Sequence, residues 1–131
     1  MASTYSSLLK IELIGSGEQS NSWGNTTNNN LSQSVEFAIA GVYSKNLSSA
    51  ANPYVLTTAN GPQSQADNEA RNAAIVFSAQ SANHTVQFNA TQKIYFLRNA
   101  NTTYTITCRL GSSGNRHVIN PSTSVFLATR S

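Results

Sequence analysis

The sequence predicts a mainly β protein: a single antiparallel β-sandwich or jelly-roll-like domain with one short helix in its N-terminal half, at about residues 29–40. Three observations predict it. Apolar residues alternate at period two through much of the chain, most cleanly where Tyr104, Ile106, Cys108 and Leu110 are set against Thr105, Thr107 and Arg109. The alternating runs are short, recur roughly every ten residues and are broken by polar turns such as Asn60-Gly61-Pro62. Only one segment has helical spacing, with Leu31, Val35, Ala38 and Ile39 falling on one apolar stripe.

In chain order, residues 1–8 are expected to form a flexible N-terminal arm, ordered when a neighbour receives it. Residues 9–131 are expected to form the single β-domain. Leu9, Ile11 and Leu13 predict a first strand that ends at Gly15-Ser16-Gly17. Asn25-Thr26-Thr27-Asn28 offers side-chain acceptors for the helix N-terminus. Gly41 stands where a left-handed C-terminal cap is expected. Strands are predicted at 42–47 and 54–58, around an Asn52-Pro53 turn, followed by a polar loop over 63–72. Further strands are predicted at 73–79, 85–89, 93–99, 104–110, 116–120 and about 125–128. The run 93–99 is apolar on both faces, Tyr95 and Leu97 against Ile94 and Phe96. That predicts a central strand, or one whose outer face another subunit covers.

Composition narrows the function. Charged residues make up 10% of the chain, well below the usual quarter, and Asn, Ser and Thr fill the gap. Amides and hydroxyls are cheaper to desolvate than charges, which suits a surface that meets other subunits. The net charge of +3 comes from scattered cations with no run or basic helix, so no nucleic-acid partner is expected. No apolar run reaches the ~20 residues of a membrane span, and no membrane partner is expected. The N-terminus lacks the charged and apolar regions of a signal peptide, so synthesis in a cytoplasm is expected.

No catalytic, cofactor-binding or metal-binding residues are assigned, and no enzyme activity is expected. His84 and His117 lack further ligands at zinc spacing, and Cys108 shares the face of Ile106 and Leu110 as a small core residue. Asp67 and Glu69 read as solvated loop charges, because no glycine-supported calcium loop accompanies them. No nucleophile-elbow pattern occurs. The residues expected at an interaction surface are Trp23, Asn28, Tyr54, Tyr95 and Phe96. Trp23 and Tyr54 suit stacking on sugar rings, but for Trp23 the favoured reading is a plug beneath its own loop.

One block is distinctive: Gly17-Glu18-Gln19, Trp23-Gly24, Thr27-Asn28-Asn29-Asn30-Leu31, Glu36, Ala38-Ile39 and Gly41. With Ala70-Arg71-Asn72 and Lys93-Ile94-Tyr95-Phe96 farther on, it resembles a virion surface domain of tailed bacteriophages. Such domains occur in marine phage tail fibres and in capsid decoration (cement) proteins. The resemblance implies a structural virion protein, made in the host cytoplasm and placed on the capsid surface. Its partners would be the major capsid protein and copies of itself, as a trimer that stabilises the mature head lattice. The alternative it implies is a tail-fibre or receptor-binding module whose partner is a host-surface glycan.

Overall fold

The computed structural model describes residues 3–89, 93–112 and 114–129. Met1 and Ala2 of the expected arm, and Ser113 of the turn after 110, lie outside them. The described residues are mainly β, with ten strands and one long helix. A two-stranded ribbon pairs β1 (Thr4–Tyr5) with β2 (Glu12–Leu13). Helix α1 follows at 23–40. It is α-helical over Trp23–Asn29 and Glu36–Ala40, and π-helical over Asn30–Val35 between them.

The remaining strands are β3 (Val42–Asn46), β4 (Tyr54–Val55), β5 (Ala74–Ser78), β6 (His84–Phe88), β7 (Lys93–Asn99), β8 (Ile106–Leu110), β9 (Arg116–Ile119) and β10 (Thr123–Thr129). They build two four-stranded sheets, in the orders β10-β7-β5-β3 and β4-β6-β8-β9. The chain alternates between the sheets from β3 to β8, so each sheet receives every second strand. Strands laid down this way run parallel: β3 with β5, β5 with β7, β4 with β6, and β6 with β8. Only the last two strands return antiparallel, β9 on β8 and β10 on β7.

The sheets are therefore mixed, and this corrects the antiparallel sandwich. The chain is a short solenoid of three coils, each contributing one strand to either sheet, closed by an antiparallel pair. Parallel neighbours need a long crossover, and here the crossover of each sheet is a strand of the other. Ala74 pairs with Phe96 and His84 with Ile106, so both sheets take the same step along the sequence. Val42 pairs with Ala74 and Tyr54 with Val86, a longer step that is again equal in the two sheets. The longer step reflects an excursion between β4 and β5 that ends in a 3₁₀ turn, Glu69–Arg71.

Alternation decides what fills the space between the sheets. Ile75, Phe77, Tyr95 and Leu97 of one sheet are buried in the same cluster as Val86, Phe88, Ile106, Cys108 and Ile119 of the other. Phe88 and Tyr95 meet edge to face across the gap, with ring centroids 4.9 Å apart. Strand β7 is central, between β5 and β10.

The corners between strands are built from amides. Asn52 Oδ1 accepts the Thr85 N–H of the next coil at 3.1 Å, and Asn83 Oδ1 accepts the Thr105 N–H of the coil after that at 3.0 Å. On the same side, at the crossing from β7 to β8, the fully buried Asn99 donates to the carbonyls of Tyr104 and Ile119, and its Oδ1 accepts from Gln80 and the Asn101 N–H. An amide both donates and accepts, so one side chain satisfies backbone groups of two turns. This gives part of the asparagine content a structural cause.

The helix departs from its expected setting in three ways. It starts at Trp23 after Ser22, without a side-chain cap, so Asn25–Asn28 lie inside it. Gly41 is extended, with φ −70°, not left-handed. Glycine is required there for space: a Cβ would stand 2.5 Å from the Phe37 carbonyl oxygen and 2.7 Å from Asn72 Oδ1. Finally, the helix turns a polar face inward. Asn30 and Ser34 are buried, whereas Leu31 and Ile39 of the apolar stripe are exposed. Asn30 accepts from the Glu12 N–H and donates to the Glu12 carbonyl, tying α1 to β2.

Candidate interaction surface and charged interior

The two sheets present different outer faces. On the β4-β6-β8-β9 sheet the outward row across the strands is Val55, Gln87, Arg109 and Arg116. Arg109 donates from Nε and Nη2 to Gln87 Oε1, at 3.1 and 2.8 Å. The corresponding row on the β10-β7-β5-β3 sheet is Phe126, Phe96, Ala74 and Val42. Phe126 is 71% exposed, Val42 62% and Phe96 49%. Ile94, two residues before Phe96 and opposite Ala128, extends the patch. Ile39, at the end of α1 three residues before Val42, is 75% exposed. Isolated exposed apolar side chains are ordinary, but a row across four strands with three of them exposed and the half-buried Ala74 between is a contiguous patch of the kind that marks interaction sites.

The five residues expected at an interaction surface are dispersed. Phe96 lies at the centre of the apolar row. Trp23, in the first turn of α1, is 60% exposed and is not a plug. Asn28 is exposed on the same helix. Tyr95 points into the core, 2% exposed, and its hydroxyl donates to the Ala70 carbonyl. Alternation forces this: Tyr95 and Phe96 are neighbours on a strand and face opposite sides. Tyr54 is half-buried and committed to Glu69. The residues the sequence did not disclose are Val42 and Phe126, whose placement beside Phe96 depends on pairings between distant strands.

The excursion after β4 carries buried charge, which corrects the reading of Glu69 as a solvated loop residue. Glu69 is 1% exposed; it accepts from the Tyr54 hydroxyl at 2.7 Å and the Thr57 N–H at 3.0 Å, and Lys45 Nζ stands 3.5 Å from its other oxygen. Lys45 also lies over the Tyr54 ring. Burial and then the hydrogen bond to Glu69 raise the Tyr54 pKa. Burial alone would lower Lys45, but its contacts with Tyr54 and Glu69 outweigh that and raise it. The cluster is satisfied internally and closes the open end of the first coil, where Tyr43, Lys45 and Tyr54 face inward. Arg71 is buried on the same turn and donates to Ser34 and to the carbonyls of Gly61 and Ala59. It thereby joins the excursion to α1.

His84 is buried, its Nε2 2.8 Å from the Ala51 carbonyl oxygen, and Cys108 is a core residue whose thiol is pushed up to about 12 by burial. Among the described residues no three of His, Cys, Asp and Glu converge on a point, and no helix is long and apolar enough to cross a membrane. Comparison with protein families, with curated proteins and with solved structures finds no match to this chain.

Proposed function

We propose that this chain is a structural protein of a tailed-phage virion, a capsid decoration or cement protein that self-associates and binds the mature head lattice. The observation that carries the assembly part is the apolar row Val42, Ala74, Phe96 and Phe126 on one outer face, where the matching row on the other face has Gln87, Arg109 and Arg116 beside a single apolar residue, Val55. Such a face gains from burial at about 25 cal/mol per Å², and a cyclic trimer would repeat one heterologous contact between copies three times. A mixed-sheet solenoid with hydrogen-bonded corners is a rigid block, suited to bridging neighbouring subunits of a shell. Binding only the mature lattice stabilises that lattice by mass action. The virion assignment itself rests on the sequence resemblance around Trp23-Gly24.

The test has two parts. Sedimentation of the pure chain reads self-association, which Phe126→Ser and Phe96→Ser are expected to abolish. Quantitative mass spectrometry of purified particles reads copies per major capsid protein. A ratio near one supports decoration, a handful of copies moves the protein to the tail, and none refutes a virion role. Trp23, exposed on α1, favours the tail reading as the second one: a receptor module that stacks a host glycan on its indole. Loss of cell adhesion in Trp23→Ala, with sedimentation unchanged, would select it.

A further inference from the structure

Beside the ribbon of β1 and β2 the structure contains a cavity of about 230 Å³ whose charged lining is entirely cationic. Lys10, Arg71 and Lys93 reach it from the N-terminal segment, the 3₁₀ turn and β7, together with the amides Asn60, Asn68 and Asn89. Leu8 and Leu9 supply an apolar wall. The nearby carboxylates are engaged elsewhere: Asp67 accepts from Ser64, and Glu69 belongs to the Lys45–Tyr54 cluster.

The donors and acceptors left over at this cavity are specific. Arg71 spends three N–H bonds on Ser34, Gly61 and Ala59, which leaves two of its five free. Lys93 Nζ donates to the carbonyls of Asn72 and Ile94 and stands 4.1 Å from the centre of the Tyr95 ring, with a third N–H that makes no hydrogen bond among the described residues. Asn68 donates to the Ala59 carbonyl and Asn89 to the Thr58 hydroxyl, and in both the amide oxygen has no partner among the described residues. Charged donors suit a carboxylate, free amide oxygens suit hydroxyls, and leucine methyls suit the C–H face of a ring. The volume falls short of the ~300–1,000 Å³ of drug-sized sites, so it admits a single ring.

We propose that this cavity binds a hydroxylated organic carboxylate the size of one uronic acid. The ligand's carboxylate takes the free N–H groups of Arg71 and Lys93, and its hydroxyls donate to Asn68 and Asn89. Desolvation with no carboxylate alongside already holds Lys93 down to about 8 and lowers Arg71; a bound anion relieves both penalties. The site stands whether or not the chain assembles, because it lies apart from the outer row of Phe96 and Phe126.

The test is a nitrogen-15 NMR titration of the full chain with glucuronate, with glucose and inorganic phosphate as parallel arms. Saturable shifts centred on Arg71, Asn89 and Lys93 are expected with glucuronate and not with glucose. Lys93→Met is expected to weaken binding by roughly tenfold or more, and Lys93→Arg to retain it. Asn89→Asp, which puts a negative charge into the cavity, is expected to weaken it similarly and carries the test if Lys93→Met does not fold. The proposal is overturned by no saturable shift with glucuronate, by equal binding of glucose, or by shifts centred elsewhere. Phosphate binding as tightly as glucuronate would reduce the cavity to a general anion hole and overturn it as well.

Discussion

Asn99→Asp is the substitution that tests the amide corners most directly. It changes one group, an NH₂ to an oxygen, at a side chain that is fully buried. In the native protein Nδ2 donates at 2.8 Å to the Tyr104 carbonyl and at 3.2 Å to the Ile119 carbonyl. An aspartate would place an acceptor against both. Two hydrogen bonds worth about 0.5–1.5 kcal/mol each are lost, and the weakened pairing of the two carbonyls, of which Tyr104 keeps only a 3.4 Å bond from Gln80 Nε2, adds about 1–3 kcal/mol. A loss of about 3–5 kcal/mol at neutral pH follows, a large share of the ~5–15 kcal/mol that holds a domain together. The deficit depends on pH. Burial and the facing carbonyls raise the pKa of the introduced carboxyl above its unfolded value, so the folded variant binds its proton more tightly than the unfolded chain. The protonated acid recovers one donor, and the deficit shrinks as pH falls from 7 towards 4. Urea unfolding of both proteins across that range measures it, with Asn28→Asp on the exposed helix as a control expected to stay within about 0.5 kcal/mol. A loss below about 1 kcal/mol, or one that does not vary with pH, would refute the view that Asn99 holds the corner through donated hydrogen bonds.

Three further expectations follow from the packing. Gly41→Ala should cost about 1–3 kcal/mol in chemical unfolding, because its Cβ would meet the Phe37 carbonyl at 2.5 Å on backbone that φ alone would allow; a neutral result would show that the end of α1 moves aside freely. Lys93 titrates near 8 when folded and near its ordinary value when unfolded, so its penalty is full below pH 8 and is relieved as pH rises above it. Stability should therefore climb from pH 8 to 9, and Lys93→Met should flatten that climb; above pH 9 Cys108, held at about 12, works in the opposite sense. The Cys108 thiol should resist a thiol-reactive dye at pH 8 in the native protein and react at once in denaturant, and rapid native labelling would contradict its burial.

Much of the strand content was legible because alternation is local. The expected 93–99 coincides with β7, and 73–79 and 85–89 each differ from β5 and β6 by a residue at the ends. The inward placement of Cys108 with Ile106 was legible for the same reason. Strand direction was not. A half-buried strand alternates in the same way whether its neighbour runs parallel or antiparallel, and that neighbour lies a whole coil away in sequence. The regular spacing of the predicted strands was half of this period, visible but undeciphered. The helix misled because its stripe of Leu31 and Ile39 is real and faces outward, while Asn30 and Ser34 make the inner contacts by hydrogen bonding. Hydropathy cannot distinguish an amide that faces water from one that replaces a core contact. Glu69 and Arg71 escaped for the same reason, being polar residues in a polar loop whose burial depends on Lys45 and Ser34.

The equal steps in the two sheets decide where this chain tolerates a change of length. Both sheets advance by one shared length of chain over the first turn and by one shared, shorter length over the second, so the surplus lies wholly in one seam, between β4 and β5. Residues added there shift no strand against its partner, because every later pairing moves along together. The seam is thus a place to graft a loop or an affinity tag, away from residues 69–71, which are anchored. Elsewhere the crossings are taut: β5 ends at Ser78 and β6 begins at His84, with Asn83 already bonded into the next corner. A deletion in that crossing would displace the corner amide or pull one sheet out of register with the other, so growth or shrinkage away from the seam would have to proceed by whole coils.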